Sequence, residues 1–161
     1  MIYRIKQFFW GFVEKLNDDD RLLVYKYLSA YEVKLFYMLP RNEQVHSIKV
    51  AKKVIFESEN RGINDSCLVK AAFLHDIGKI DSGLNVINKS ILVILNKFMP
   101  SILVKLIKLK AVNAYYNHPE IALTYLKNEN EEIKYYILNH HNYNLKQDEK
   151  LRIIQSADSK Y

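Results

Sequence analysis

FLHDIGK, residues 73–79, is the stretch on which the reading of the chain turns. The apolar run Ala71-Ala72-Phe73-Leu74 leads into His75 and Asp76; Gly78 then loosens the backbone and Lys79 adds a cation. On a helix, adjacent residues lie about 100° apart around the axis, so an imidazole and a carboxylate side by side can both reach a cation placed between them. The competing reading is a polar end to a buried helix. Which one holds depends on the other polar residues that interrupt the core pattern.

Outward from this stretch the dominant period is helical. RNEQVHSIKVAKKVIFESEN, residues 41–60, predicts a long helix with Val45, Ile48, Ala51 and Ile55 on one side, closed by Arg61-Gly62. Asn64 or Asp65 caps the next helix, which carries the opening motif at its end. Upstream, a helix is expected near residues 3–16. Asp18-Asp19-Asp20 starts another, with acids at its positive end, and Ser29 with Glu32 forms a capping box for a short helix ending before Pro40. Downstream, Pro119 fits the first turn of a helix that follows His118, Asn130-Glu131-Glu132 starts the next, and Asp148 caps the last. Strand alternation and internal repeats are absent. The expectation is an all-α bundle, with residues 1–40 as a helical extension packed on a domain spanning 41–161.

With 161 residues, 49% of them hydrophobic, and only 4 glycines and 3 prolines, the chain can bury one core without staples. Cys67 is the sole cysteine, which excludes an internal disulfide and suits a reducing, cytoplasmic compartment. The N-terminal MIYRIKQFFWGFVEKL reads as an amphipathic helix rather than a signal peptide, because its apolar residues are spaced. Phe8, Phe9, Trp10 and Phe12 there are core packing or, alternatively, a surface for self-association into a homo-oligomer.

The net charge of +6 favours anionic partners. It is unevenly spread: no acid falls between Asp81 and Glu120, where Lys89, Lys97, Lys105, Lys108 and Lys110 lie. ILVILNKFMPSILVKLIKLK, residues 91–110, is too interrupted to span a membrane. It reads as two amphipathic helices meeting at Pro100 with a solvated lysine face; a membrane-surface or protein contact is the other reading.

Several polar residues sit where apolar ones belong. Leu151, Ile154 and Asp158 follow i, i+3, i+7 spacing, so a carboxylate continues a buried stripe. Buried and ionised, it needs a cation or several donors. Ile133 and Ile137 share a face with His140 and His141 in the same way, and His46 lies among apolar neighbours on the long helix. Each could be a satisfied core residue taken singly.

In order, His46, His75-Asp76, Lys79, His118, His140-His141 and Asp158 resemble the HD-domain superfamily of metal-dependent phosphohydrolases, whose defining pattern is H…HD…D on a helical domain. HDIGK is the form found in many bacterial members, and the downstream histidines look like those of the binuclear subgroup. The resemblance covers residues 41–161. It implies that His46, His75, Asp76 and Asp158 hold one divalent metal, with Asp76 bridging to a second held by His118, His140 and His141. Imidazole and carboxylate donors suit Mn, Fe, Co, Ni or Mg and exclude a thiolate-selected ion. It also implies catalysis through Asp76 and Lys79, with Lys79 neutralising phosphate charge on a small anionic nucleotide-type substrate.

The substrate is then a nucleotide or dinucleotide phosphate ester, cut by metal-activated water. Cyclic di-GMP phosphodiesterases of this superfamily carry Gly-Tyr-Pro after the histidine pair, whereas this chain reads HHNYNLKQD, which argues against that substrate. Dinucleoside polyphosphates and cyclic di-AMP fit equally. Two other functions compete: a di-iron oxygenase of the kind a small branch of the superfamily uses, and a non-catalytic nucleotide-binding regulatory module.

Overall fold

In the computed structural model, residues 15–83 and 86–161 are described, with side chains outside 86–89. The described residues are helical with no strand. In chain order the helices are α1 (Asp18–Tyr27), α2 (Ala30–Met38), α3 (Arg41–Asn60), α4 (Ser66–Leu74), a 3-10 turn (Ile77–Lys79), α5 (Val86–Phe98), α6 (Pro100–Lys105), α7 (Lys110–Tyr125), α8 (Glu131–Asn139) and α9 (Glu149–Lys160).

Helix starts follow capping chemistry. The Asn17 side chain accepts from Asp20 N–H while Asp20 accepts from Asn17 N–H, and Ser29 and Glu32 repeat this reciprocal box at α2. Asp65, Asn130 and Asp148 each accept a backbone N–H in the first turn of α4, α8 and α9. The end of α3 is set by Gly62 at φ 65°, a left-handed conformation that costs glycine little.

The most buried helix is α4. Leu68, Ala71, Ala72, Phe73 and Leu74 have no exposed surface. It packs against α3 and α8, with further contacts to α1, α2 and α9. Val24 of α1, Leu28 just after it, and Leu35 and Phe36 of α2 join the same core as Val50, Ile137, Leu151 and Ile154. A smaller cluster holds Leu92, Leu103, Val112 and Ala114, so α5 and α6 pack on the first half of α7, apart from the main core.

One expectation is corrected: Lys15 and Leu16 are not helical, and the remainder of the helix expected near residues 3–16, with Phe8, Phe9, Trp10 and Phe12, lies outside the described residues. The helix expected to follow His118 is the second limb of α7, whose first limb starts at Lys110 and breaks at Asn117 (φ −118°, ψ 18°). Pro119 lacks the N–H that an unbroken helix would use, and it occupies the first turn after this break. The break turns His118 into the buried interior.

The cap at α4 gives a pH prediction. Asp65 accepts from Leu68 N–H at 3.0 Å and pairs with the Lys150 ammonium of α9 at 2.6 Å. Burial would raise its carboxyl, but the bonds from Lys150 and Leu68 outweigh this and hold it below its ordinary 3.8. Because the folded value is the lower one, the stabilisation is complete above the unfolded value and is lost as pH falls through the folded value. Asp65→Ala should cost about 1 kcal/mol at pH 7. In urea titrations the gap from the parent should close as pH drops below about 4; a gap constant across that range contradicts the pairing.

Candidate metal centre

The carboxyl end of α4 reaches the centre of the bundle as an apolar helix, and His75 and Asp76 follow in a turn before the 3-10 segment. Around them the fold collects His46 from α3, His118 from α7, His140 and His141 from the end of α8, and Asp158 from α9. Every residue expected at the site is therefore brought together. Gln155, one turn before Asp158, donates from Nε2 to the carbonyls of Asn139 at 3.2 Å and Asn142 at 3.1 Å. That clamp ties the turn bearing His140 and His141 to α9.

Asp76 lies at the middle, 1% exposed, and its two oxygens face different groups. Oδ2 is 3.7 Å from His46 Nε2 and 3.5 Å from His75 Nε2. Oδ1 is 3.3 Å from His118 Nε2 and 2.6 Å from the Lys79 ammonium. On the first side, Asp158 Oδ1 stands 3.0 Å from His46 Nε2 and 3.6 Å from His75 Nε2. On the second, His118 Nε2 is 3.1 Å from His140 Nε2 and 3.2 Å from His141 Nε2.

The imidazoles are oriented by their own helices. His75 Nδ1 lies 2.9 Å from Ala72 O, His118 Nδ1 3.1 Å from Ala114 O, and His140 Nδ1 2.6 Å from Ile137 O. A carbonyl only accepts, so each Nδ1 carries the proton. His118 and His140 then turn an Nε2 lone pair inward, whereas at His75 burial is outweighed by Asp76 and Asp158, which favour its protonated form. Burial, with the Lys79 charge nearby, keeps His118 well below its ordinary value, and burial with His75 nearby pushes His140 down to about 3. Both are then neutral near pH 7, and their lone pairs point at each other.

Two neutral Nε2 atoms in that position have no proton to share, and His75 Nε2 and Asp76 Oδ2 have no hydrogen-bond partner. Buried polar atoms left this way are costly, and a divalent cation held among them would remove the cost. The donor groups form three overlapping sets, His46–His75–Asp76, His118–His140–His141 and His75–His140–Asp158, each with ligand atoms within 4.8 Å of one another. Nitrogen and carboxylate donors without sulfur fit Mn, Fe, Co, Ni or Mg.

His75, Asp76, His118 and His140 form the buried floor, while the side chains of His46 and Asp158 are 14% exposed and that of His141 48%. The cluster therefore opens to solvent beside His141. Burial alone would raise the Asp76 carboxyl, but the Lys79 ammonium and the surrounding imidazoles hold it well below the usual range.

Sequence reasoning missed Glu43. It lies on α3 one turn before His46, with no exposed surface, and its Oε2 is 3.3 Å from the Lys79 ammonium. Lys79 is thus buried between two acids rather than standing as a helix-end cation. The i−3 spacing from His46 was the available signal, but it could not show a partner from a distant turn. Removing one member of a buried charge set is expensive, so Glu43→Ala should lower unfolding stability by about 3 kcal/mol, with Glu43→Gln losing less because its amide oxygen still accepts. Equal denaturant midpoints for parent and Glu43→Ala would show that Lys79 does not need this acid.

Two other features among the described residues do not compete. A groove of about 560 Å³ contains Glu32 and Glu129 but none of the histidines, and Lys70 engages both acids at 3.1 and 3.4 Å. Asp65, Cys67 and Glu132 approach one another, but Lys150 lies 2.6 Å from Asp65 and 3.4 Å from Glu132 and supplies the counter-charge there.

The family model described as HD domain matches residues 44–160, a span that runs from the turn before His46 past Asp158. No curated protein and no solved structure matches the chain.

Proposed function

The chain belongs to the HD-domain family, and from that premise we propose that it hydrolyses phosphate esters of nucleotides or dinucleotides, using two divalent metals on opposite sides of Asp76. Family membership supports the general class, metal-dependent phosphohydrolase. The finer reading is carried by one observation: the oxygens of a single buried carboxylate face two separate histidine groups.

In this reading His46, His75, Asp76 and Asp158 would hold one ion, and Asp76, His118, His140 and His141 the other. Bound there, divalent metal would supply Lewis acidity toward a phosphoryl oxygen and lower the pKa of water. The protein's part is preorganisation. Backbone carbonyls fix three imidazoles with Nε2 inward, and Lys79 keeps Asp76 ionised so that both of its oxygens remain acceptors. An ammonium has three N–H donors. Glu43 accepts from one and the Asp76 carboxylate pairs with the charge, so a further donor would serve a phosphate oxygen as negative charge develops. The open side at His141 admits the ester.

The nucleotide assignment rests on the likeness to small bacterial HD hydrolases and on the chain's positive charge. Metal-loaded protein should be assayed on dinucleoside polyphosphates, cyclic di-AMP, mononucleotides and bis(p-nitrophenyl) phosphate. The expected result is turnover of at least one dinucleotide, abolished by chelator. Silence on all phosphates, with oxygen consumption by iron-loaded protein, would replace this reading with the oxygenase; nucleotide binding without turnover would replace it with the regulatory module.

A further inference from the structure

Residues 91–109 form an exposed apolar face with one sign of charge. Ile91, Ile94 and Phe98 project from α5 at i, i+3, i+7, exposed by 49%, 57% and 71%. Met99, Ile102, Val104, Leu106 and Leu109 continue the exposure through α6 and the turns around it, each between 42% and 60%. The opposite stripe, Leu92 and Leu95 with Leu103, closes on Val112 and Ala114 of α7. This helix pair is thus apolar on two faces, and the inner one is already satisfied. Soluble surfaces seldom gather large apolar side chains in this way without something to cover them.

Charge indicates what covers it. Lys97, Lys105, Lys108 and Lys110 are exposed among these residues, and no acid occurs between Asp81 and Glu120. A second copy of the chain would set lysines against lysines. The chain's own N-terminal sequence, with Arg4, Lys6 and Lys15 against Glu14, is also basic. A surface that takes apolar side chains to a shallow depth and carries negative charge above them satisfies both features, as an anionic bilayer does. Lysine stems lie along the apolar boundary while their ammonium groups reach the headgroups. We propose that the face made by α5, α6 and the turn to α7 docks the protein on anionic lipid, with Phe98 and Ile102 entering the acyl boundary and Lys97 and Lys105 meeting headgroup phosphates.

Flotation of the full chain with vesicles tests this independently of any catalytic activity. Protein should float with 1:1 phosphatidylglycerol–phosphatidylcholine vesicles and about tenfold less with phosphatidylcholine alone. The double substitution Phe98→Ser/Ile102→Ser, both exposed and so tolerated by the fold, should abolish flotation while circular dichroism and bound metal stay as in the parent. Lys97→Glu/Lys105→Glu should reduce flotation at least about tenfold. Absence of flotation with anionic vesicles overturns the proposal. So does flotation that survives Phe98→Ser/Ile102→Ser, which places the binding element elsewhere. A parent dimer that becomes monomeric in that variant makes a second copy the occupant, and binding to soluble polyglutamate but not to vesicles makes it an acidic polypeptide; either overturns the lipid assignment.

Discussion

Alanine at Gly78 should disrupt the centre, unlike alanine at Gly62 or Gly83, where an added Cβ meets nothing within 4 Å. A Cβ there would lie 2.0 Å from the carbonyl oxygen of His118 and 2.8 Å from its Cα and carbonyl carbon. These are backbone atoms, so no side chain can turn aside. The 3-10 turn that contains Gly78 and Lys79 must separate from α7. Asp76, which precedes that turn, stands 3.3 Å by its Oδ1 from His118 Nε2, and the same separation pulls them apart. Forced overpacking of this kind costs about 3 kcal/mol. Urea unfolding should show that loss, and the purified variant should hold less metal than the parent. Unchanged stability together with unchanged metal would show that turn and helix do not approach this closely.

Asp76→Asn keeps the shape of the side chain and removes its charge. One carboxylate oxygen becomes an NH2 group, which donates and cannot serve as a ligand. The amide would confront either His46 and His75 or His118 and Lys79, so one group of donors would lose an acceptor oxygen and both would lose the anion. Lys79 is left with Glu43 as its buried counter-ion. Loss of several kcal/mol of transition-state stabilisation corresponds to a fall in kcat of about a thousandfold or more. Metal content should fall as well. A variant that retains full metal and more than a tenth of the parent rate would remove Asp76 from the role assigned to it.

The sequence was read successfully where chemistry is local. Capping residues predicted the starts of α2, α4, α8 and α9, because a cap and its N–H partner lie within three residues; α1 was expected from its first-turn acids, and its cap Asn17 was not foreseen. The histidines and aspartates of the centre were legible as a set through their resemblance to a family pattern, since none of them declared itself by spacing alone. What could not be read was contact across the fold. Beyond its spacing from His46, Glu43 carries no signal of its own in the sequence, because its partner Lys79 is distant along the chain and meets it only in the fold. Gly78 read as a loosening of the chain, whereas its lack of a side chain admits the His118 carbonyl. The break at Asn117 followed from neither neighbour, although Pro119 marked its vicinity. The outward apolar stripe of α5 was hidden for the opposite reason: its period matched an ordinary amphipathic helix, and only the packed structure shows that another face is the buried one.

Metal content of the purified chain, measured by elemental mass spectrometry in the parent and in His118→Ala/His140→Ala, tests the divided carboxylate most directly. Two equivalents per chain in the parent, falling to one in the double variant, is the predicted result. One equivalent in the parent, unchanged by the double substitution, would contradict it.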